Sequence, residues 1–182
     1  MSPINEIYLE SIKKRFLDQK NLGEKAIAQL KEEDLFKSPN EDSNSIAVIV
    51  QHLWGNMMSR WTNFLTEDGE KEWRERDAEF ENIIKTKDEL IQKWNEGWDC
   101  LFRTLNSLNP EELINTIHIR SEAHSAMDAI NRQLAHYPYH IGQIVFAAKM
   151  LKGGGFQSLS ISKGKSKDFN DGMMKKGGKN KS

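Results

Sequence analysis

Apolar residues recur at spacings of three and four along most of the chain, and the recurrence is clearest over residues 46 to 64. There Ile46, Ile49, Val50, Leu53, Met57, Trp61 and Phe64 form one stripe, and the preceding Ser45 is a residue type that caps helix N-termini. A looser stripe through Ile7, Ile12, Phe16, Ala26, Ile27 and Leu30 predicts a helix over residues 4 to 30, stopped by the Ser38-Pro39-Asn40 turn. Thr86 followed by Glu89 has the pattern of a capping box. Leu90, Ile91, Trp94, Trp98, Leu101, Phe102 and Leu105 then continue a stripe as far as Asn109-Pro110. A fourth helix is predicted over residues 127 to 151, ended by Gly153, Gly154 and Gly155. Four helices of roughly 20 residues, each about 30 Å long, suit an all-α antiparallel four-helix bundle.

The segments between them are polar or short. Residues 67 to 77 are interrupted by Gly69 and read as an ordered crossover between helices two and three, with Trp73 as its expected anchor. The stretch LINTIHI, residues 113 to 119, is β-branched enough for a short extended piece. Residues 163 to 182 hold seven Lys and two Asp, with Phe169, Met173 and Met174 as their large apolar groups. So little apolar surface predicts a Lys-rich tail, partly disordered toward its far end, after a bundle domain over residues 1 to 162.

Composition narrows the class. The chain has 182 residues, one domain's worth, and its modest 37% hydrophobic content includes five Trp and eight Phe that can bury large areas. No apolar run approaches the ~18 residues of a spanning helix, so no membrane association is expected. The opening MSPINEIYLE lacks a basic cluster followed by an apolar stretch, and Cys100 has no second cysteine to pair with. Both point to a cytoplasmic location. The net charge of -1 averages -6 over residues 1 to 162 and +5 over residues 163 to 182. Nucleic-acid binding by the tail is not expected, since a short solvated tail accounts for the same charges.

The candidate chemistry lies in AHYPYHIGQI. His136 and His140, four residues apart, fall on one helix face with Cβ atoms about 6 Å apart, close enough to share a metal ion. Gln133 and Gln143 lie where they could orient ligands. A third ligand would come from His52, His118 or His124. His52 is the strongest, because it lies inside the most apolar helix, where an unpaired imidazole is costly. Three imidazoles would leave a fourth position for water or substrate. Pro138, between the paired histidines, removes a backbone N–H and predicts a kink or bulge.

Other chemistries find no support. The residues three before each histidine are Ile49, Asn115, Ser121, Gln133 and Tyr137, so the acidic partner of a di-iron bundle is missing. Gly164-Lys165-Ser166 lacks the earlier glycine of a phosphate loop, since that position is Leu159. Cys100 reads as packing, and Glu32-Glu33-Asp34 and Glu70-Lys71-Glu72 as solvated charge. Arg60 reads first as a surface ion pair and second as a contact to a carboxylate of a thiol or acid substrate, Trp61 as core, and Tyr137 and Tyr139 as packing or as hydrogen-bond partners of a bound group. No carboxylate stands out as a general base.

The lone histidine within VQHLWGNMMSRWTNFL, followed some 80 residues later by H-x-x-x-H and Gly-Gln, resembles the DinB-like superfamily of DNA-damage-inducible proteins over about residues 5 to 170. NSIAVIVQHLWGNMMSRWTNFLTEDGEKEWR and SLSISKGKSKDFN look especially like a branch of unassigned function. The resemblance implies a four-helix bundle whose metal-binding triad falls on His52, His136 and His140. It also implies a metal that binds and activates a low-molecular-weight thiol, as in the bacillithiol and mycothiol S-transferases and the mycothiol-dependent isomerase; three imidazole ligands suit a divalent ion, Zn or Ni. A thiol S-transferase or hydrolase-like enzyme is one expectation. A non-catalytic, stress-associated metal-binding protein acting as a homodimer is the other.

Overall fold

The computed structural model describes residues 3 to 81 and 83 to 178. It is mostly helical with one small two-stranded sheet, and four long helices dominate it: α1 (Pro3–Ile27), α3 (Ile46–Trp61), α4 (Lys87–Ser107) and α5 (Ala126–Lys152). A single turn, α2 (Glu32–Leu35), follows α1, and α6 (Ser166–Gly178) lies in the tail. The helix starts follow the local chemistry of the sequence. Ser45 Oγ accepts from the Val48 N–H, 3.3 Å, and Thr86 and Glu89 close a reciprocal capping box at the head of α4. At the other end of α5, Gly153 takes φ 59°, a conformation that favours glycine.

α3 packs on α4 and α5, and α1 packs on α5 and α4. Where they meet, each long helix contributes one aromatic side chain. The Phe16 ring lies 6.1 Å from that of Trp61 and 5.8 Å from that of Tyr137, and Trp98 lies 6.0 Å from Tyr137. All four are fully or almost fully buried. Trp98 Nε1 has no hydrogen-bond partner among the described residues, while the polar atoms of Trp61 and Tyr137 are satisfied in series. Trp61 Nε1 donates to the Tyr137 hydroxyl, 2.9 Å, which donates to Asn56 Oδ1, 3.0 Å. Tyr137→Phe leaves both neighbours without their partner and is expected to cost about 1–3 kcal/mol, read as a lower urea midpoint at unchanged slope.

The segment after α3 is ordered by polar contacts. Trp73 is 58% exposed, so it is no buried anchor for the segment. Ser59 Oγ donates to the Gly69 carbonyl, 2.7 Å, and accepts from the Lys71 N–H, 3.2 Å. Asp68 accepts from the backbone N–H groups of Glu70, Arg120 and Ser121. Arg120 and Ser121 form the turn of a hairpin between β1 (Thr116–Ile119) and β2 (Glu122–Ser125), antiparallel with Thr116 opposite Ser125. Both turn residues have positive φ, 55° and 63°, without the glycine or asparagine that usually signals such a turn. The Asp68 carboxylate, by binding their N–H groups, holds them there.

Two further differences from the sequence pattern concern the ends of elements. α3 stops at Trp61, so the buried Phe64 lies beyond it. The tail forms α6, whose residues from Ser166 to Met174 are all exposed, so the lack of an apolar stripe shows as lack of burial, not lack of helix. Residues 179 to 182, at the far end where disorder is expected, lie outside the described residues.

Candidate metal centre

His52, on α3, and His136 and His140, on α5, turn their Nε2 atoms toward one point. His136 Nε2 lies 3.0 Å from His140 Nε2 and 3.4 Å from His52 Nε2, and the three ligand atoms all fall within 4.8 Å of one another. Two nitrogens bound at about 2.0 Å to one tetrahedral ion lie about 3.3 Å apart, so the spacing matches a shared cation. α5 is α-helical at every residue through Pro138, so of the kink or bulge expected there no bulge is seen. The proline removes one N–H from the ladder, while the turns on either side keep both rings on a common face.

Each ring is fixed from behind. Nδ1 of His52 lies 2.9 Å from Glu79 Oε2, Nδ1 of His140 lies 2.8 Å from Gln143 Oε1, and Nδ1 of His136 lies 3.4 Å from Gln133 Oε1. An oxygen acceptor at every Nδ1 favours the proton there, the tautomer that presents three Nε2 lone pairs to one another. That arrangement is repulsive without a cation and complementary to one, so the donor set fits a metal ion. Burial, then the neighbouring imidazoles, pushes His136 down to about 3. Burial also lowers His140, outweighing a hydrogen bond to Gln143 that acts the other way. Both are neutral at pH 7, the state in which imidazole binds metal.

Glu79 was invisible to sequence patterning. It sits on a 3-10 turn, Ala78–Phe80, in the polar crossover and is 6% exposed. Besides His52 it accepts from Arg74, Nε to Oε1 at 2.6 Å and Nη2 to Oε2 at 2.9 Å. Burial raises its pKa, but these hydrogen bonds and the Arg74 charge outweigh burial and leave the carboxyl below its ordinary value. It is an ionised carboxylate orienting a histidine. Phe80 stacks on the His52 ring at 5.0 Å, and the exposed Tyr139 meets the His140 ring edge-on at 5.0 Å.

Several residues stand elsewhere than expected. Arg60 is 6% exposed, bonded to the Gly69 carbonyl and, at 3.1 Å, to Glu70. The crossover folds over it, so it makes no surface ion pair. Lys71 is likewise buried and Glu70 partly so. His118 is exposed on β1, and His124 on β2 bonds Asp128 at 2.8 Å, so neither joins the cluster. Cys100 is buried and lies 3.7 Å from Thr62 Oγ1, which agrees with a packing role.

Over residues 3 to 165 the chain matches the family described as protein of unknown function (DUF1572). The chain belongs to this family. No curated protein and no solved structure matches it. For this DUF1572 chain the family supplies no activity, and the chemistry rests on the site itself. Gly55, one turn beyond His52, shows how closely that site is built. A Cβ at position 55 would collide with the Glu79 carboxylate, which His52 and Arg74 hold in place. Gly55→Ala is expected to displace Glu79 and weaken metal binding by about tenfold, measured by competition with a chromogenic chelator.

Proposed function

We propose that the chain is a DinB-like four-helix bundle that holds one divalent ion through His52, His136 and His140 and uses it on a low-molecular-weight thiol. The reaction class is S-transfer, or a related thiol-dependent isomerisation or hydrolysis. The observation that carries the reading is the convergence of three Nε2 atoms while each Nδ1 is bonded to an oxygen. All-imidazole ligation suits Zn²⁺ or Ni²⁺, and three protein ligands leave a position for an exchangeable group, as catalytic sites do. When bound, the ion would supply Lewis acidity and favour the thiolate over the thiol.

The chain's own residues prepare the site. Glu79, Gln133 and Gln143 fix the tautomers, and Phe80 covers one face of His52. Glu79 is fully engaged by His52 and Arg74, so it positions a ligand and takes no proton from substrate. No described helix is long and apolar enough to cross a membrane, and a cytoplasmic location suits a free thiol substrate. A second reading is a non-catalytic, stress-associated metal-binding homodimer. It is favoured by Ile4, Ile7 and Leu17, which leave α1 with large exposed apolar side chains.

Turnover separates the two. Untagged protein incubated with a panel of electrophiles and with bacillithiol, glutathione or coenzyme A is expected to consume one thiol in a metal-dependent way. Thiol loss that is the same in His136→Ala/His140→Ala contradicts metal-dependent catalysis. No loss with any pair, in protein that carries the ion, favours the non-catalytic reading.

A further inference from the structure

Arg60, Arg74, Arg76, Arg120 and Arg132 line one pocket of 220 Å³, and no aspartate or glutamate lines it with them. Its remaining wall includes His52 and His136, so the arginine cluster opens directly onto the candidate metal centre. Two carboxylates outside the lining offset part of this charge. Glu70 pairs with Arg60 at 3.1 Å, with Arg74 at 3.6 Å and with Arg120 at 3.0 Å, and Glu79 pairs with Arg74. Five guanidinium groups against these two carboxylates and Asp68, which accepts from the backbone N–H of Arg120 and feels the charge of Arg60, leave a surplus of two positive charges, in a chain whose net charge is -1.

The surplus is also visible atom by atom. Arg60 is 6% exposed and the Arg74 side chain 2%, yet among the described residues Arg60 Nε has no hydrogen-bond partner and Arg74 Nη1 has only the Glu70 carboxylate, at 3.6 Å. A buried guanidinium N–H without an acceptor costs free energy. Arg76 and Arg132, both exposed at the pocket rim, have no ion-pair partner among the described residues. Guanidinium groups in this number recognise planar or tetrahedral oxyanions by paired N–H donors, and an anion between them relieves their mutual repulsion. A pocket of this size admits a small molecule and excludes a macromolecule.

We propose that this pocket binds the acid group of a small anionic molecule, a carboxylate or a phosphate, whose other end reaches the three-histidine site. The reacting end rests on the reading given under Proposed function; the acid end rests on the arginines alone. The substrate or thiol taken here is therefore an anion, and its charge is held by Arg60, Arg74, Arg76, Arg120 and Arg132, not by the ion.

Isothermal titration calorimetry of succinate and of inorganic phosphate tests this. The full chain is used as purified and after dialysis against a chelator, with metal content measured on the same samples. At least one anion is expected to bind both samples in the millimolar range or tighter, more weakly as salt is raised, and about tenfold more weakly in Arg76→Ala/Arg132→Ala, whose positions are exposed and tolerate truncation. Phosphate binding without succinate binding assigns a phosphate ligand, and the converse a carboxylate. Binding of neither anion, or equal binding by wild type and double variant, overturns the proposal. Anion binding through the arginines in a chain that takes up no metal leaves the pocket standing and removes the metal reading. Metal uptake without anion binding does the reverse.

Discussion

Glu79→Ala is expected to weaken metal binding by about 10- to 100-fold and to destabilise the fold by about 3–5 kcal/mol. Both effects have one origin. The carboxylate lies 2.9 Å from His52 Nδ1 and holds that ring, and it is also the bidentate partner of Arg74, whose side chain is 2% exposed. Removing it frees His52 to rotate or change tautomer and leaves a buried guanidinium with fewer acceptors. Glu79→Gln separates the two roles. The amide oxygen still accepts from His52, so most of the metal affinity should survive, whereas the lost charge opposite Arg74 should still lower stability. Chelator competition reads the first effect and urea unfolding the second. If Glu79→Ala changed neither, the carboxylate would have no part in positioning His52.

The metal-free protein should lose stability as pH falls below about 6.5, and added Zn²⁺ should raise stability most above that pH. His136 falls to about 3 in the folded chain against an ordinary value of 6.5, and His140 is lowered as well. Between those values the unfolded chain binds protons that the folded chain refuses, so unfolding is favoured progressively as pH drops through 6.5 toward 3. Above about pH 7.5 both states are neutral at these rings and the contribution vanishes. The lowered Glu79 adds to acid sensitivity only near and below the ordinary carboxyl range. An ion that binds the folded chain alone adds about 2.7 kcal/mol at a free concentration of 100 Kd, and less as protons compete for the ligands. Melting curves from pH 8 to 5, with and without Zn²⁺, should therefore differ most at high pH. His136→Ala/His140→Ala should show a flatter metal-free profile and no response to the ion. An unchanged wild-type melting temperature on adding Zn²⁺ would argue that the imidazoles do not close on a cation.

What could be read in the sequence was local. The Ser45 cap, the Thr86 and Glu89 box and the pairing of His136 with His140 depend on residues within four positions of each other, where helical geometry dictates who meets whom. His52 could be singled out because an imidazole in an apolar stripe needs a partner. Its partner could not. Glu79 is 27 residues away on an aperiodic turn, in a segment whose charges read as solvated. The burial of Arg60 is hidden for the same reason. Its neighbours on α3 do not reveal that Gly69 and Glu70 return over it. The arginine pocket draws on the helices α3 and α5, the crossover and the hairpin turn, and no single stretch of sequence contains it. α6 has no apolar stripe to announce it, since it buries none of its residues from Ser166 to Met174.

The central claim is that three imidazoles share one ion. Metal content and X-ray absorption on untagged protein test it directly. About one Zn or Ni per chain is expected, with a first shell of three imidazole nitrogens near 2.0 Å, and with the ion lost from His136→Ala/His140→Ala. A substoichiometric metal content that is the same in the variant, or a shell without imidazole, would contradict it.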